Sequence, residues 1–165
     1  MARDTRSAKR LLIEYAHAVI TQLRPRLAIL TEFCGGIARR INLGDVAMFT
    51  STAAWDYGKW EEGADGKAPK FLARPDALNV PIGTAAKAVR ALSEQGRVFD
   101  DATNATVRKM LGALDRDPGV KAVAAGSGSA IVTSEIVLSR IVDLNENIHA
   151  IDMESYGLYH ACLHT

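Results

Sequence analysis

No stretch of this 165-residue chain approaches the ~20 consecutive apolar residues of a membrane-spanning helix. An excess of charge is missing too. Twenty basic residues against 19 acidic ones leave a net charge of +1, too weak a field to gather nucleic acid or an anionic membrane. Arg3, Arg6, Lys9 and Arg10 give the start a local basic excess over Asp4, but Glu14, His17 and Gln22 interrupt the apolar run a secretory signal would need. The two cysteines, Cys34 and Cys162, stand far apart and in no metal-ligand spacing, so reduced thiols in a cytoplasmic protein are the expectation. The histidines, His17, His149, His160 and His164, form no ligand cluster, and no metal is expected. Gly126-Ser127-Gly128 lacks the third glycine of a dinucleotide loop and reads as a tight turn, and no glycine loop carries a Walker lysine. No cofactor is therefore expected. Internal repeats, low-complexity tracts and linkers are absent as well, and the length suits one domain, 1–165, with a buried core.

What is present is an alternation of helix-like and strand-like pieces. Leu11, Leu12, Tyr15, Ala16, Val19 and Leu23 recur at helical spacing until Pro25 stops the pattern. Short apolar runs then predict strands over Leu27 to Thr31, Val46 to Ala53, Val120 to Gly126 and His149 to Ile151. Helices are predicted over Ala85 to Gln95, with Ala88, Val89 and Leu92 on one face, and over Ala102 to Leu114, with Val107, Met110, Leu111 and Leu114 inward. A further helix is expected from Glu135 to Leu144 behind Ser134 as N-cap, and a last one from Met153 to Cys162. Asn42-Leu43-Gly44-Asp45 reads as a turn. Trp55 to Pro81, rich in glycine, proline and charge, reads as a long loop with room for one short strand. Ala130 to Thr133 is expected to continue extended. The sum is an α/β protein with a mixed central sheet flanked by helices.

The chemistry concentrates at Ile148-His149-Ala150-Ile151-Asp152-Met153-Glu154-Ser155-Tyr156-Gly157. A strand there hands over to a helix through two carboxylates, at the kind of strand end where open α/β sheets bind ligands. A carboxylate at such a place can accept two hydrogen bonds from a vicinal diol such as ribose. Equally, Asp152 can cap the helix and Glu154 can complement its dipole. Cys34 before Gly35 and Gly36 reads as a small buried residue rather than a nucleophile, since no base accompanies it. Trp55-Asp56-Tyr57 with Trp60 is either a stacking platform for a base or an aromatic plug in the loop.

In their order along the chain, Leu27 to Gly36, Asn42 to Asp45, Trp55 to Tyr57, Gly126 to Val132 and Ile151 to Gly157 resemble the purine nucleoside phosphorylase superfamily. The likeness is nearest to the bacterial nucleosidases that act on methylthioadenosine and S-adenosylhomocysteine, and it covers Arg24 to Cys162. It implies a phosphorylase/hydrolase-like fold and cleavage of an N-glycosidic bond through an oxocarbenium-like ribose. It also implies site residues. Glu154 would accept from the 2′- and 3′-hydroxyls and Met153 would pack on the sugar. Ser127 to Val132 would lie against the purine, with Ile131 at the family's aromatic position and Val132 beside it. Glu32 to Gly36, including Cys34 and Gly35, would line the sugar. A dimer with a small-molecule purine nucleoside as its ligand follows from the same likeness.

The chain also departs from the family's pattern. Glu32 stands where the family has glycine, Ser129 where nucleosidases have aspartate, and Ile131 offers no aromatic face. Between Met1 and Thr165 there is no counterpart of the family's opening strand with its water-activating glutamate or phosphate loop. The closing strand, its purine-protonating aspartate and the long helix have no counterpart either. The expectation is a chain shortened at both ends, with a sheet incomplete relative to the family, an exposed edge and a tendency to self-associate. No catalytic residue is assigned, and whether the chain is an enzyme stays open. A nucleosidase, a nucleoside-binding module without catalysis or an inactive fragment, and a phosphorylase all remain as readings. Water is favoured over phosphate because the loop after Leu30 begins without an arginine.

Overall fold

The central apolar runs pair side by side. In the computed structural model, which describes residues 8–62, 68–81, 83–84, 87–88, 90–91, 100–112 and 118–165, three strands run parallel. They are β2 (Val46–Ala54), β6 (Val120–Ser127) and β7 (Ile148–Asp152). Two short strands border them antiparallel, β1 (Gly35–Gly36) on β7 and β5 (Ala77–Asn79) on β2, which gives the order β1-β7-β6-β2-β5. The sheet is thus mixed, as the sequence suggests. A separate hairpin joins β3 (Gly58–Glu61) to β4 (Lys70–Ala73).

Helices α1 (Ala8–Leu23), α3 (Glu135–Leu144) and α4 (Ser155–Leu163) accompany the sheet, with α1 packed on α4; a further helix is α2 (Asp101–Leu111). Ile37, Ile141 and Ile148 form the buried cluster, with Trp55, Val132, Val137, Leu138, Val142 and Ile151 around it. Elsewhere the core is built of small residues, Ala53, Ala54, Ala124, Ala125, Ala150 and Ala161. These let helices and strands approach closely. No described helix is long and apolar enough to cross a membrane.

Several expectations give way. Leu27 to Thr31 is not a strand: the described residues offer it no neighbouring strand, and Leu27 and Ile29 point outward, 62% and 75% exposed. An apolar run without a ladder partner cannot hold as a strand. Among its described residues, the stretch from Trp55 to Pro81 carries three strands rather than one, because pairing between distant segments overrides its loop-like composition. Trp60 faces Phe71 across the hairpin with ring centres 5.3 Å apart. Gly126 and Ser127 belong to β6 and not to a turn. A Cβ at Gly126 would lie 3.2 Å from Ile141 Cγ2, so the glycine serves close packing of strand and helix.

Ala130 to Thr133 forms no ladder. Met110 on α2 is 80% exposed rather than inward, and α2 stops at Leu111, where Gly112 turns to φ +76°. Its start is capped by Asp100, whose carboxylate accepts from Thr103 N at 2.7 Å. Ser134 stands at the N-cap of α3 but makes no side-chain cap bond. Of the helix expected over Ala85 to Gln95, Lys87, Ala88, Arg90 and Ala91 are helical. Val89, Leu92 and, further on, Leu114 lie outside the described residues.

Candidate functional site

The parallel strands end in register. Ala54 of β2 is opposite Ser127 of β6, and Ser127 is opposite Asp152 of β7. Whatever follows these three residues therefore gathers at one edge of the sheet. Because β1 runs antiparallel to β7, with Gly35 opposite Ile151, the residues before β1 come to the same edge. This register brings Glu32 and Cys34 to Asp152 and Glu154.

The result is a cluster of three carboxyl groups. The Glu32 side chain hydrogen-bonds to those of both Asp152 and Glu154. Asp152 is buried, and its Oδ2 accepts from Ser155 N at 2.7 Å. This satisfies a backbone donor of the first turn of α4, the capping role open to it in the sequence. Its Oδ1 is buried and receives no N–H or hydroxyl hydrogen bond. Glu154 is half-buried, and its Oε2 accepts from Met153 N at 3.2 Å.

Glu32 is itself exposed, yet desolvation beside the cluster, its hydrogen bonds to Asp152 and Glu154 and their charges raise its pKa to about 9. The direction of this shift favours a shared proton within the cluster at neutral pH. Burial also raises the Cys34 thiol, with the charges of Asp152 and Glu32 adding to it. A thiol held protonated in this way is a poor nucleophile.

The walls come from the other strand ends. Gly128 N donates to the Asp152 carbonyl at 3.0 Å, and Trp55 N donates to the Ser127 carbonyl at 3.2 Å. A Cβ on Gly128 would run into the Trp55 indole, so only glycine fits there. Trp55 packs against the core cluster while Tyr57 and Trp60 are exposed, so Trp55 is a plug and the three do not form one platform. Asp56 Oδ2 accepts from Ser129 N at 2.7 Å and ties the loops after β2 and β6 together. From α4, Ser155 Oγ meets Thr52 Oγ1 at 2.8 Å, and Tyr156 N donates to Ser127 Oγ at 3.3 Å. The Tyr156 hydroxyl donates to Asp76 Oδ2 at 2.6 Å, and burial with that carboxylate pushes its pKa far above the usual phenol range.

Of the residues singled out from the sequence, Cys34, Gly35, Met153 and Glu154 come together through the β1–β7 register. Ile131 stands apart, 82% exposed, and Val132 packs into the hydrophobic cluster. Two features escaped sequence reasoning. One is the proton shared around Glu32, signalled only by an acid in a glycine-rich loop. The other is the buried hydroxyl pair of Thr52 and Ser155, which nothing local announces. Among the described residues, no group of three or more His, Cys, Asp or Glu side chains is arranged to hold a metal ion.

The sequence profile of the phosphorylase superfamily matches residues 13–165. No curated protein matches the chain. Among solved structures the chain is similar to the 5′-methylthioadenosine/S-adenosylhomocysteine nucleosidase of Neisseria meningitidis in complex with methylthio-immucillin-A. There the identity is 19% and the TM-score 0.63, over 95% of this chain and 58% of that one. A Helicobacter pylori nucleosidase of the same kind gives 14% identity and a TM-score of 0.67, over 95% and 60% of the two chains. Futalosine hydrolase of Helicobacter pylori gives 13% and 0.66, over 95% and 59%. At these identities the likeness is one of fold. The chain spans between 58% and 60% of the length of these relatives.

Proposed function

The chain belongs to the phosphorylase superfamily, and from that premise we propose that it is of nucleosidase type, binding a purine nucleoside by its ribose at Glu154. The observation that carries this reading is the convergence of Glu32, Asp152 and Glu154 at the C-terminal edge of the parallel strands. Glu154 takes the hydroxyls of the vicinal diol, Met153 packs on the sugar, and Cys34 and Gly35 line it. Structural relatives hold methylthio-immucillin-A and adenine, which supports a ligand of this class.

The reaction is hydrolysis. The bond between C1′ and the purine nitrogen breaks, water supplies the hydroxyl at C1′, and its remaining proton balances the leaving base. A cluster of acids repels a phosphate dianion and tolerates water, which disfavours phosphorolysis. Arg40 is engaged elsewhere, donating to the carbonyls of Glu146 and Ile148, the latter at 2.9 Å. A nucleoside binder without catalysis is the second reading. Its support is that Glu32, pushed up to about 9, shares a proton held within the cluster at neutral pH and is a poor base for activating water. Chromatographic release of adenine from methylthioadenosine, with and without phosphate, separates the readings. Phosphate-independent release supports hydrolysis, and binding without release supports the second.

A second copy of the chain as partner belongs to the same proposal. Tyr15, Val19 and Leu23 recur along one face of α1 and are 71%, 49% and 72% exposed. Such a stripe suits a self-complementary contact.

A further inference from the structure

We propose that the segment from Arg26 to Glu32 is an interaction surface, a strand that pairs antiparallel with the same segment of a second copy of this chain about a two-fold axis at Ile29. The inference rests on the second-copy reading of the proposed function and adds a contact with a defined register.

The segment has the marks of a strand without its ladder. Exposure alternates along it, with Leu27, Ile29 and Thr31 exposed and Ala28 and Leu30 half-buried, the period of a strand with one face on the protein. Yet no backbone hydrogen bond joins residues 27–33 to another described residue. A row of backbone N–H and C=O groups open to solvent beside exposed apolar side chains is a template for another strand. Leu27 also lines one groove with Ile20 of α1, which makes the segment continuous with the exposed face of that helix.

The charges select the occupant. The segment carries one near each end, Arg26 and Glu32, and both are exposed. With Ile29 opposite itself in an antiparallel pair, Arg26 falls opposite the partner's Glu32, and Glu32 opposite the partner's Arg26. Leu27 then faces Thr31, and Ala28 faces Leu30. Opposite charges across a strand pair stabilise it, and like charges destabilise it. Parallel, in-register pairing would set Arg26 on Arg26 and Glu32 on Glu32. Pro25, which has no N–H to give, ends the ladder. Every contact occurs twice, so the pairing closes as a dimer and does not extend. The Glu32 side chain also meets Asp152 and Glu154. The pairing therefore brings the partner's Arg26 to the edge of the acidic cluster, a counter-charge that the second copy contributes.

Sedimentation velocity of the whole chain across the micromolar range tests this. Wild type should be a dimer. Arg26→Glu sets like charges at both pairs, as does Glu32→Arg, and each variant alone should associate about tenfold or more weakly. An equimolar mixture of the two restores both opposite-charge pairs and should give back the dimer. A second readout does not depend on these charges. Ile29→Cys sets two thiols opposite each other on the axis and should form a disulfide-linked dimer with diamide, well above wild type. Leu27→Cys, roughly 13 Å from its counterpart in this register, should not. A wild-type dimer that both charge variants leave intact, a mixture that stays monomeric, or equal cross-linking at positions 27 and 29 overturns this contact and leaves the second copy to the α1 face. A wild-type monomer removes the second-copy reading and this inference with it.

Discussion

Gly35 faces Ile151 across the two-residue antiparallel ladder between β1 and β7. This one pairing decides the composition of the site. It brings an acid that lies about 120 residues away in sequence to the end of the strand that carries Asp152 and leads to Glu154. The neighbouring Gly36 packs so tightly that a Cβ there would lie 2.5 Å from Ile41 Cγ2.

Glu32 makes stability depend on pH in a definite direction. Its folded pKa of about 9 lies above the ordinary value of 4.5. The unfolded state therefore releases this proton first as the pH rises. The contribution is complete below pH 4.5 and is lost progressively as the pH rises through about 9. Urea denaturation at pH 5, 7 and 9 should give falling midpoints, and Glu32→Gln should flatten the trend. Equal slopes in the two proteins would contradict it.

Gly128→Ala should force the Trp55 ring out of place, because the added methyl falls within it. Overpacking of this kind costs about 1–3 kcal/mol. In a Trp60→Phe background, which removes the exposed indole, the variant should show red-shifted Trp55 emission and a lower denaturation midpoint. An unchanged spectrum would mean that the loop absorbs the methyl.

Asp45 gives the Asn42–Asp45 turn a structural task. Its carboxylate accepts from Gly119 N at 3.0 Å and Asn42 N at 3.1 Å, and Lys121 Nζ lies 3.5 Å away. It thereby fastens the start of β2 to the start of β6. Asp45→Ala leaves those donors unpaired and should cost about 1–3 kcal/mol, measured by urea denaturation with no change in secondary structure by circular dichroism.

If a second copy covers the Tyr15–Val19–Leu23 stripe, sedimentation velocity should show a wild-type dimer and a Val19→Glu monomer. A wild-type monomer across the micromolar range would contradict the self-association proposal.

Much of this was legible in the sequence. The helices α1 and α3 follow apolar spacing at period 3.6, and the three parallel strands are largely apolar runs, so local pattern and final structure agree. Leu27 to Thr31 failed because an apolar run becomes a strand only if another backbone pairs with it. The β3–β4 hairpin and β5 failed for the converse reason: partners distant in sequence made strands of segments whose composition suggests a loop. At the site, Asp152 and Glu154 were legible as carboxylates at a strand end. The pairing of Glu32 with them was not, because it depends on the β1–β7 register and on a shared proton that no linear motif encodes.

The most direct test is calorimetric titration of methylthioadenosine into wild type and Glu154→Ala, with released adenine assayed on the same samples. The account predicts wild-type binding that weakens about tenfold or more in Glu154→Ala, as expected for loss of a hydrogen-bonding carboxylate, and release of adenine that does not need phosphate. Equal affinity in the two proteins would contradict it, leaving Glu154 as a carboxylate at the start of a helix and the ribose site unsupported.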